Sequence, residues 1–95
     1  MFKVIITTVG NPDYNQDPDR PLWGVPEGEA LDAPTLEALV EKVREFQDDY
    51  DIGGGNWSLC RVFKAEKLIG FMSYNGRVWD RERWDKDAVE YKEGV

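Results

Sequence analysis

TLEALVEKVREFQDDY, residues Thr35 to Tyr50, is the only stretch of this chain whose apolar residues repeat at helical spacing. Leu36, Leu39, Val40, Val43, Phe46 and Tyr50 fall at i, i+3, i+4, i+7, i+10 and i+14, so they share one stripe of an α-helix. Everything else has to pack on that stripe. At about 100° per residue, Glu37, Glu41, Glu45 and Asp48 gather on the opposite side, within about 80° of one another. One face is core and the other is a row of carboxylates.

The flanks of the helix carry its signals. Asp32 or Thr35 can cap the start by accepting a hydrogen bond from a free backbone N–H, and Pro34 is tolerated in a first turn. Asp49 and Asp51 sit near the C-terminus, where the macrodipole disfavours negative charge by a few tenths of a kcal/mol or more. A broken local rule marks a place to look for function, unless a lysine from elsewhere neutralises the pair. Gly53, Gly54 and Gly55 are expected to end the helix by supplying positive φ, the C′ role. They fit a phosphate cradle poorly, because phosphate loops run from a strand into a helix N-terminus and this triplet follows a helix.

Upstream, FKVIITTV from Phe2 to Val9 is rich in β-branched residues and predicts a strand. Gly10, Asn11 and Pro12 stop it, and Pro18, Pro21, Pro26 and Pro34 predict a long irregular loop over about 10–34. A loop of that length is either functional or disordered. Tyr14, Leu22, Trp23, Val25 and Leu31 suggest that it is tied down, with Trp23 tucked against the body.

Downstream, Trp57 to Lys64 and Leu68 to Tyr74 have the content of strands joined in a hairpin by an Ala65-Glu66-Lys67 turn. Alternation places Leu59, Arg61 and Phe63 on one face and Ser58, Cys60, Val62 and Lys64 on the other. Cys60 is expected to be a small buried residue rather than a reactive thiolate. Asn75-Gly76 predicts a two-residue type I′ turn into a further strand around Arg77-Val78-Trp79. The fold class expected is α+β in the order β-α-β-β with a possible fourth strand, one helix packed across a small antiparallel sheet whose later strands form a meander. Asp80 to Val95 alternates in sign and reads as a solvated surface with a fraying tail over about 85–95, although Trp84 argues that part of it docks.

Composition narrows the function. A chain of 95 residues with 41 % hydrophobic content and four each of Trp, Tyr and Phe suits one domain with one apolar core. There is no histidine and one cysteine, so no Ser-His-Asp triad, Cys-His pair or Cys/His zinc site can be built. Acids on an exposed helix offer no cleft for a glycosidase-like pair, and no EF-hand spacing is present for calcium. The expectation is a non-enzymatic protein with no cofactor and no metal. With no basic-then-apolar leader and no long apolar run, it reads as a cytoplasmic protein without a membrane segment.

The charge is lopsided. The chain carries a net −7, yet residues 11–51 hold twelve acids against three bases, a net of −9. Phosphates would repel such a protein, so a basic partner is expected rather than nucleic acid itself. Arg77, Trp79, Arg81, Arg83 and Trp84 interleave bases with aromatics, but Asp80, Glu82 and Asp85 cancel the charge among them. The candidate partner-binding residues are Glu37, Glu41, Glu45, Asp48, Asp49 and Asp51, with Asp17 and Asp19 from the loop. Such a surface could meet a basic nucleic-acid-binding groove in place of a phosphate backbone. The ordinary alternative is that amphipathic helices simply expose charge away from the core. A different class of reading is an interaction module, monomeric or homodimeric, that uses Trp23, Trp57, Trp79 and Trp84 as hot-spot residues.

Gly10-Asn11-Pro12-Asp13-Tyr14, Gln16-Asp17-Pro18 with Pro21-Leu22 and Gly24-Val25-Pro26, Gly53-Gly54-Gly55-Asn56-Trp57, and Ser73-Tyr74-Asn75-Gly76-Arg77-Val78-Trp79 together cover much of the chain. In these segments it resembles a group of small acidic proteins carried by phages and plasmids. That resemblance implies a class of function, the anti-CRISPR and anti-restriction inhibitors, some of which are similar to DNA in charge. Turns, a helix stop and hairpin strands also require these residue types, whatever the role.

Overall fold

The computed structural model describes residues 1–20, 24–26, 28–58, 60–82 and 85–92. Five strands, β1 (Phe2–Ile5), β2 (Ala30–Ala33), β3 (Cys60–Lys64), β4 (Lys67–Met72) and β5 (Val78–Trp79), form one sheet in the order β2-β1-β3-β4-β5. Every pairing is antiparallel. One helix, α1 (Leu36–Asp49), lies across a single face, and β3-β4-β5 is the expected meander. The α+β class read from the sequence is therefore the architecture observed.

The core is the interface between that helix and that face. Leu39, Val43 and Phe46 of α1 meet Phe2, Val4, Cys60, Val62, Met72 and Val78 of the sheet, all of them buried. Alternation decides which strand residues take part. Val62 is buried while Arg61 is exposed and Phe63 half-buried, as the period of two requires. Thr35 is the N-cap, its Oγ1 accepting from the Ala38 N–H at 3.1 Å, and Asp32 lies instead in β2. Lys42 holds the helix to that edge strand, its Nζ donating to the Asp32 carbonyl at 2.6 Å.

Several local expectations give way to better-connected alternatives. The long loop contains a strand that its composition hides: Ala30-Leu31-Asp32-Ala33 has weak β propensity, and it forms because the exposed edge of β1 offers a ladder. Phe2 to Val9 is not one strand. Its ladder ends at Ile5, after which Ile6 bonds Glu29, Thr8 makes an isolated bridge to Trp57, and Val9 bonds Asn56. The strands expected from Trp57 and Leu68 begin at Cys60 and Lys67, and the second ends at Met72.

The helix stop is also different. The Ile52 N–H reaches the Gln47 carbonyl at 2.8 Å and the Asp51 N–H the Asp48 carbonyl at 3.4 Å, which is the Schellman pattern with Asp51 at C′. Asp51 itself takes the left-handed conformation, φ 54°, while Gly53 is extended at φ −93°. The glycine triplet therefore does not supply the positive φ assigned to it. Gly54–Asn56 winds one short 3₁₀ turn that lies beside Tyr74 and Asn11.

Both hairpin turns depart from expectation. Ala65 and Glu66 form a two-residue loop with φ 49° and 68°, and Lys67 already belongs to β4. That is type I′ geometry held by residues that disfavour it. At Asn75-Gly76 only Gly76 is left-handed (φ 85°), with Gly76 N bonded to Ser73 O and Ser73 N to Arg77 O. The result is a three-residue loop with a glycine bulge, not the two-residue turn expected. Gly76 is needed twice over, since a Cβ there would stand 2.7 Å from Val40 Cγ1.

The C-terminal segment is fastened over its described residues 85–92, where fraying was expected. Asp80 N bonds Val89 O, Tyr91 N bonds Val78 O, and Trp79 bridges to Glu90, so the segment runs beside β5. Trp23 and Trp84, both expected to dock, lie outside the described residues.

Candidate functional site

The carboxylate row is where the helix period places it. Glu37, Glu41, Glu45 and Asp48 are all exposed, as are Asp49 and Asp51 at the helix end. Among the described residues none of these six forms an ion pair. No basic residue occupies the last turn of α1, so the charge that opposes the macrodipole there stays uncompensated. Arg44 is the exception to the row's sign. At ~100° per residue it falls about 20° from Glu37, close enough to thin the negative field.

Magnitude shows what the row alone can do. From Glu37 to Asp48, at ~1.5 Å per residue, it spans about 16 Å and carries one charge per about 5.5 Å. Duplex DNA carries one per about 1.7 Å, roughly three times as dense. The row therefore needs the acids at its end. The chain after α1 turns back so that Asn56 Nδ2 donates to Val9 O at 3.0 Å and to Gln16 Oε1 at 2.9 Å. This latch holds the loop of Asp17 and Asp19 at the same end of the molecule as Asp48, Asp49 and Asp51. Asp17 pairs with Arg20 at 3.4 Å, an exposed contact, and its Oδ1 accepts the Asp19 N–H at 2.9 Å. Asp17 is thus partly neutralised and acts as a turn residue, whereas the helix acids carry no such duty.

A second group of acids behaves in the opposite way. Arg81 donates to Asp80 through Nε and Nη2, to both Asp85 oxygens through Nη1, and to the Asp87 carbonyl. Asp80 Oδ1 also accepts the Val89 N–H at 3.0 Å. The Arg81 hydrogen bond, followed by that of Val89, holds the Asp80 carboxyl below its ordinary value. These acids fasten the C-terminal segment.

Among the described residues the opposite face of the sheet carries no helix. Phe71 and Trp79 lie on it, and with Arg77, Glu82 and Trp57, which also packs against the core, they line an open cleft of about 550 Å³. The sequence separated Trp57 and Trp79 by twenty-two positions, and the meander brings them to one wall. The register of β4, and so the joining of the two, was not legible beforehand. Cys60 is fully buried and its thiol is pushed up to about 11 by that burial, so it is the unreactive core residue expected.

Among the described residues no group of three or more His, Cys, Asp or Glu side chains is placed to hold a metal ion. No described helix is long and apolar enough to cross a membrane. No protein-family model, curated protein or solved structure matches the chain.

Proposed function

We propose that this protein is a non-enzymatic, acidic binding protein that inhibits a nucleic-acid-binding defence protein, of the anti-CRISPR or anti-restriction kind, by laying α1 in its basic groove. The observation that supports this most is that Glu37, Glu41, Glu45, Asp48, Asp49 and Asp51 are exposed without an ion pair among the described residues. Acids elsewhere in the chain, at Asp80 and Asp85, are consumed by structure. A helix already folded presents its charges without a backbone ordering cost at binding, which favours a groove built for a rigid polyanion. Association through such a face is fast and falls steeply with salt. The test is capture of partners from a bacterial lysate at low and high salt, with the eluted proteins identified by mass spectrometry. Partners with a basic nucleic-acid groove, retained at low salt and released at high salt, support the reading. Partners that carry no basic groove end it.

A second, aromatic reading rests on one observation, that Trp57 and Trp79 line the same open cleft. A dimer insensitive to salt in size-exclusion chromatography with light scattering would favour association through that cleft over the acidic helix.

A further inference from the structure

We propose that the open edge of β2 takes up an extended basic peptide segment as an added strand of the sheet. The register decides which backbone groups are on offer. The Ile6 N–H bonds the Glu29 carbonyl at 2.8 Å and the Ala65 N–H bonds the Met1 carbonyl at 3.2 Å. Phe2, Val4 and Ile6 therefore turn their backbone groups to β2, and the residues between them turn theirs to β3. In β2 it follows that Leu31 and Ala33 are bonded to β1, whereas Ala30 and Asp32 point their N–H and C=O groups outward. Both of these residues are exposed. Lys42 Nζ donates to the Asp32 carbonyl, and among the described residues the Ala30 N–H, the Ala30 carbonyl and the Asp32 N–H have no partner. The far edge of the sheet differs, because the C-terminal segment bonds β5 there, Tyr91 N to Val78 O.

Charge selects the occupant. Glu29 and Asp32 stand on the edge strand itself, both exposed. Glu45 and Asp49 stand on the flank of α1 that Lys42 occupies, since positions three and seven on from it fall within about 60° of it. The bases nearby are Lys42, held at the Asp32 carbonyl, and Lys3, whose ammonium lies over the Phe63 ring at 5.6 Å, towards β3 and away from the edge. Four acids against two bases leave the edge negative. A second copy of the chain would bring the same negative edge and a net charge of −7, so a cationic strand is favoured over self-pairing. Opposite Asp32 a basic side chain lies beside the carboxylate, at a hollow of about 180 Å³ that Asp32 lines with Lys3, Phe63 and Glu66. The next residue, opposite Leu31, falls on the α1 side beside that half-buried side chain and is apolar. Backbone bonds thus supply attachment, and alternating basic and apolar side chains supply the choice of partner. This mode uses the backbone of β2 and needs no basic groove, so it stands or falls apart from the reading above.

The test adds an acetylated, amidated hexapeptide of alternating Lys and Val to the full chain and follows amide hydrogen exchange by NMR. In the free protein the Leu31 and Ala33 amides should be protected and those of Ala30 and Asp32 should not. The peptide should extend protection to Ala30 and Asp32. Methylating the Lys backbone nitrogens, which face β2 when Lys lies opposite Asp32, should weaken binding about tenfold or more, and methylating the Val nitrogens should not. Ala30→Pro removes an outward N–H that the β1 ladder does not use, and it should weaken binding as much while far-UV circular dichroism stays unchanged. The methylated pair reads the same point on the wild-type protein. Absence of new protection, equal binding of the two methylated peptides, or equal binding of a Glu-Val peptide overturns the proposal. So does protection of Ala30 and Asp32 that rises with protein concentration alone, which would make a second copy the occupant.

Discussion

The acids of α1 and the acids around Arg81 differ in what holds them. Asp80 and Asp85 converge on one guanidinium and position the segment that runs beside β5. Among the described residues Glu37, Glu41, Glu45 and Asp48 form no ion pair, only Glu37 in the first turn favours the helix dipole, and the helix is secured by its other face. The contrast separates acid that the fold uses from acid that the fold tolerates. Tolerated charge of one sign, at a helix end that disfavours it, costs stability without a structural return. That is the physical reason to look for its use in binding.

The largest expected effect breaks the comparison at its binding side. Changing Glu37, Glu41, Glu45 and Asp48 together to Lys alters four charges by two each, taking the net charge from −7 to +1. Capture of the partner should be abolished while far-UV circular dichroism stays that of the wild type. Leu39→Ala, on the buried stripe of the same helix, should do the reverse. It should lower stability by about 2–5 kcal/mol, seen as an earlier denaturation midpoint, because Leu39 is fully buried between α1 and the sheet. If both variants lost stability alike, the two faces of α1 would not be separable as described.

Smaller effects sharpen the Arg81 side. Arg81→Ala should speed hydrogen exchange at the Val89 and Tyr91 amides, which the strap protects, and leave the Val62 amide in the sheet centre unchanged. The same strap should respond to acid. A carboxyl whose folded value is depressed contributes stability above its unfolded value, and that contribution is lost as pH falls through the folded one. For Asp80 the ordinary value is 3.8, so protection at Val89 should hold near pH 5 and decline only below about 3.8.

The smallest expected effect is the most diagnostic of tolerated charge. Asp51→Gly relieves a left-handed residue, φ 54°, and removes an acid from the helix C-terminus. It should raise stability by about 1 kcal/mol. If Asp51 serves binding, the stabilised variant should also bind its partner less well, and equal affinity would reduce the acidic surface to the helix row.

How far the sequence carried this account depends on which signal each element sends. The stripe of Leu36, Leu39, Val43 and Phe46 identified the helix, but the sequence left its start open by about three residues between Asp32 and Thr35 as cap, and the Thr35 hydrogen bond decides it. The strands around Cys60 and Leu68 were legible from β-branched and aromatic content, and their ends were not. Ala30–Ala33 was illegible, because an edge strand of Ala, Leu and Asp is made by its neighbour rather than by its own propensity. Asp51, two residues before Gly53, displaced the glycines at C′ because buried Ile52 anchors the chain there. For the candidate site, the exposed row could be placed from the helix period alone. The latch through Asn56 and the shared cleft of Trp57 and Trp79 are long-range arrangements that no local pattern announces.

The central claim is that α1 occupies a groove built for phosphates, and competition tests it most directly. A captured partner is bound to labelled duplex DNA, and the protein is added at increasing concentration while fluorescence anisotropy is followed. The wild type should displace the DNA, less effectively as salt rises, and the Glu37, Glu41, Glu45 and Asp48 reversal should not. Retention of the DNA on a partner that still binds the wild-type protein, or equal displacement by the reversal, would contradict the account.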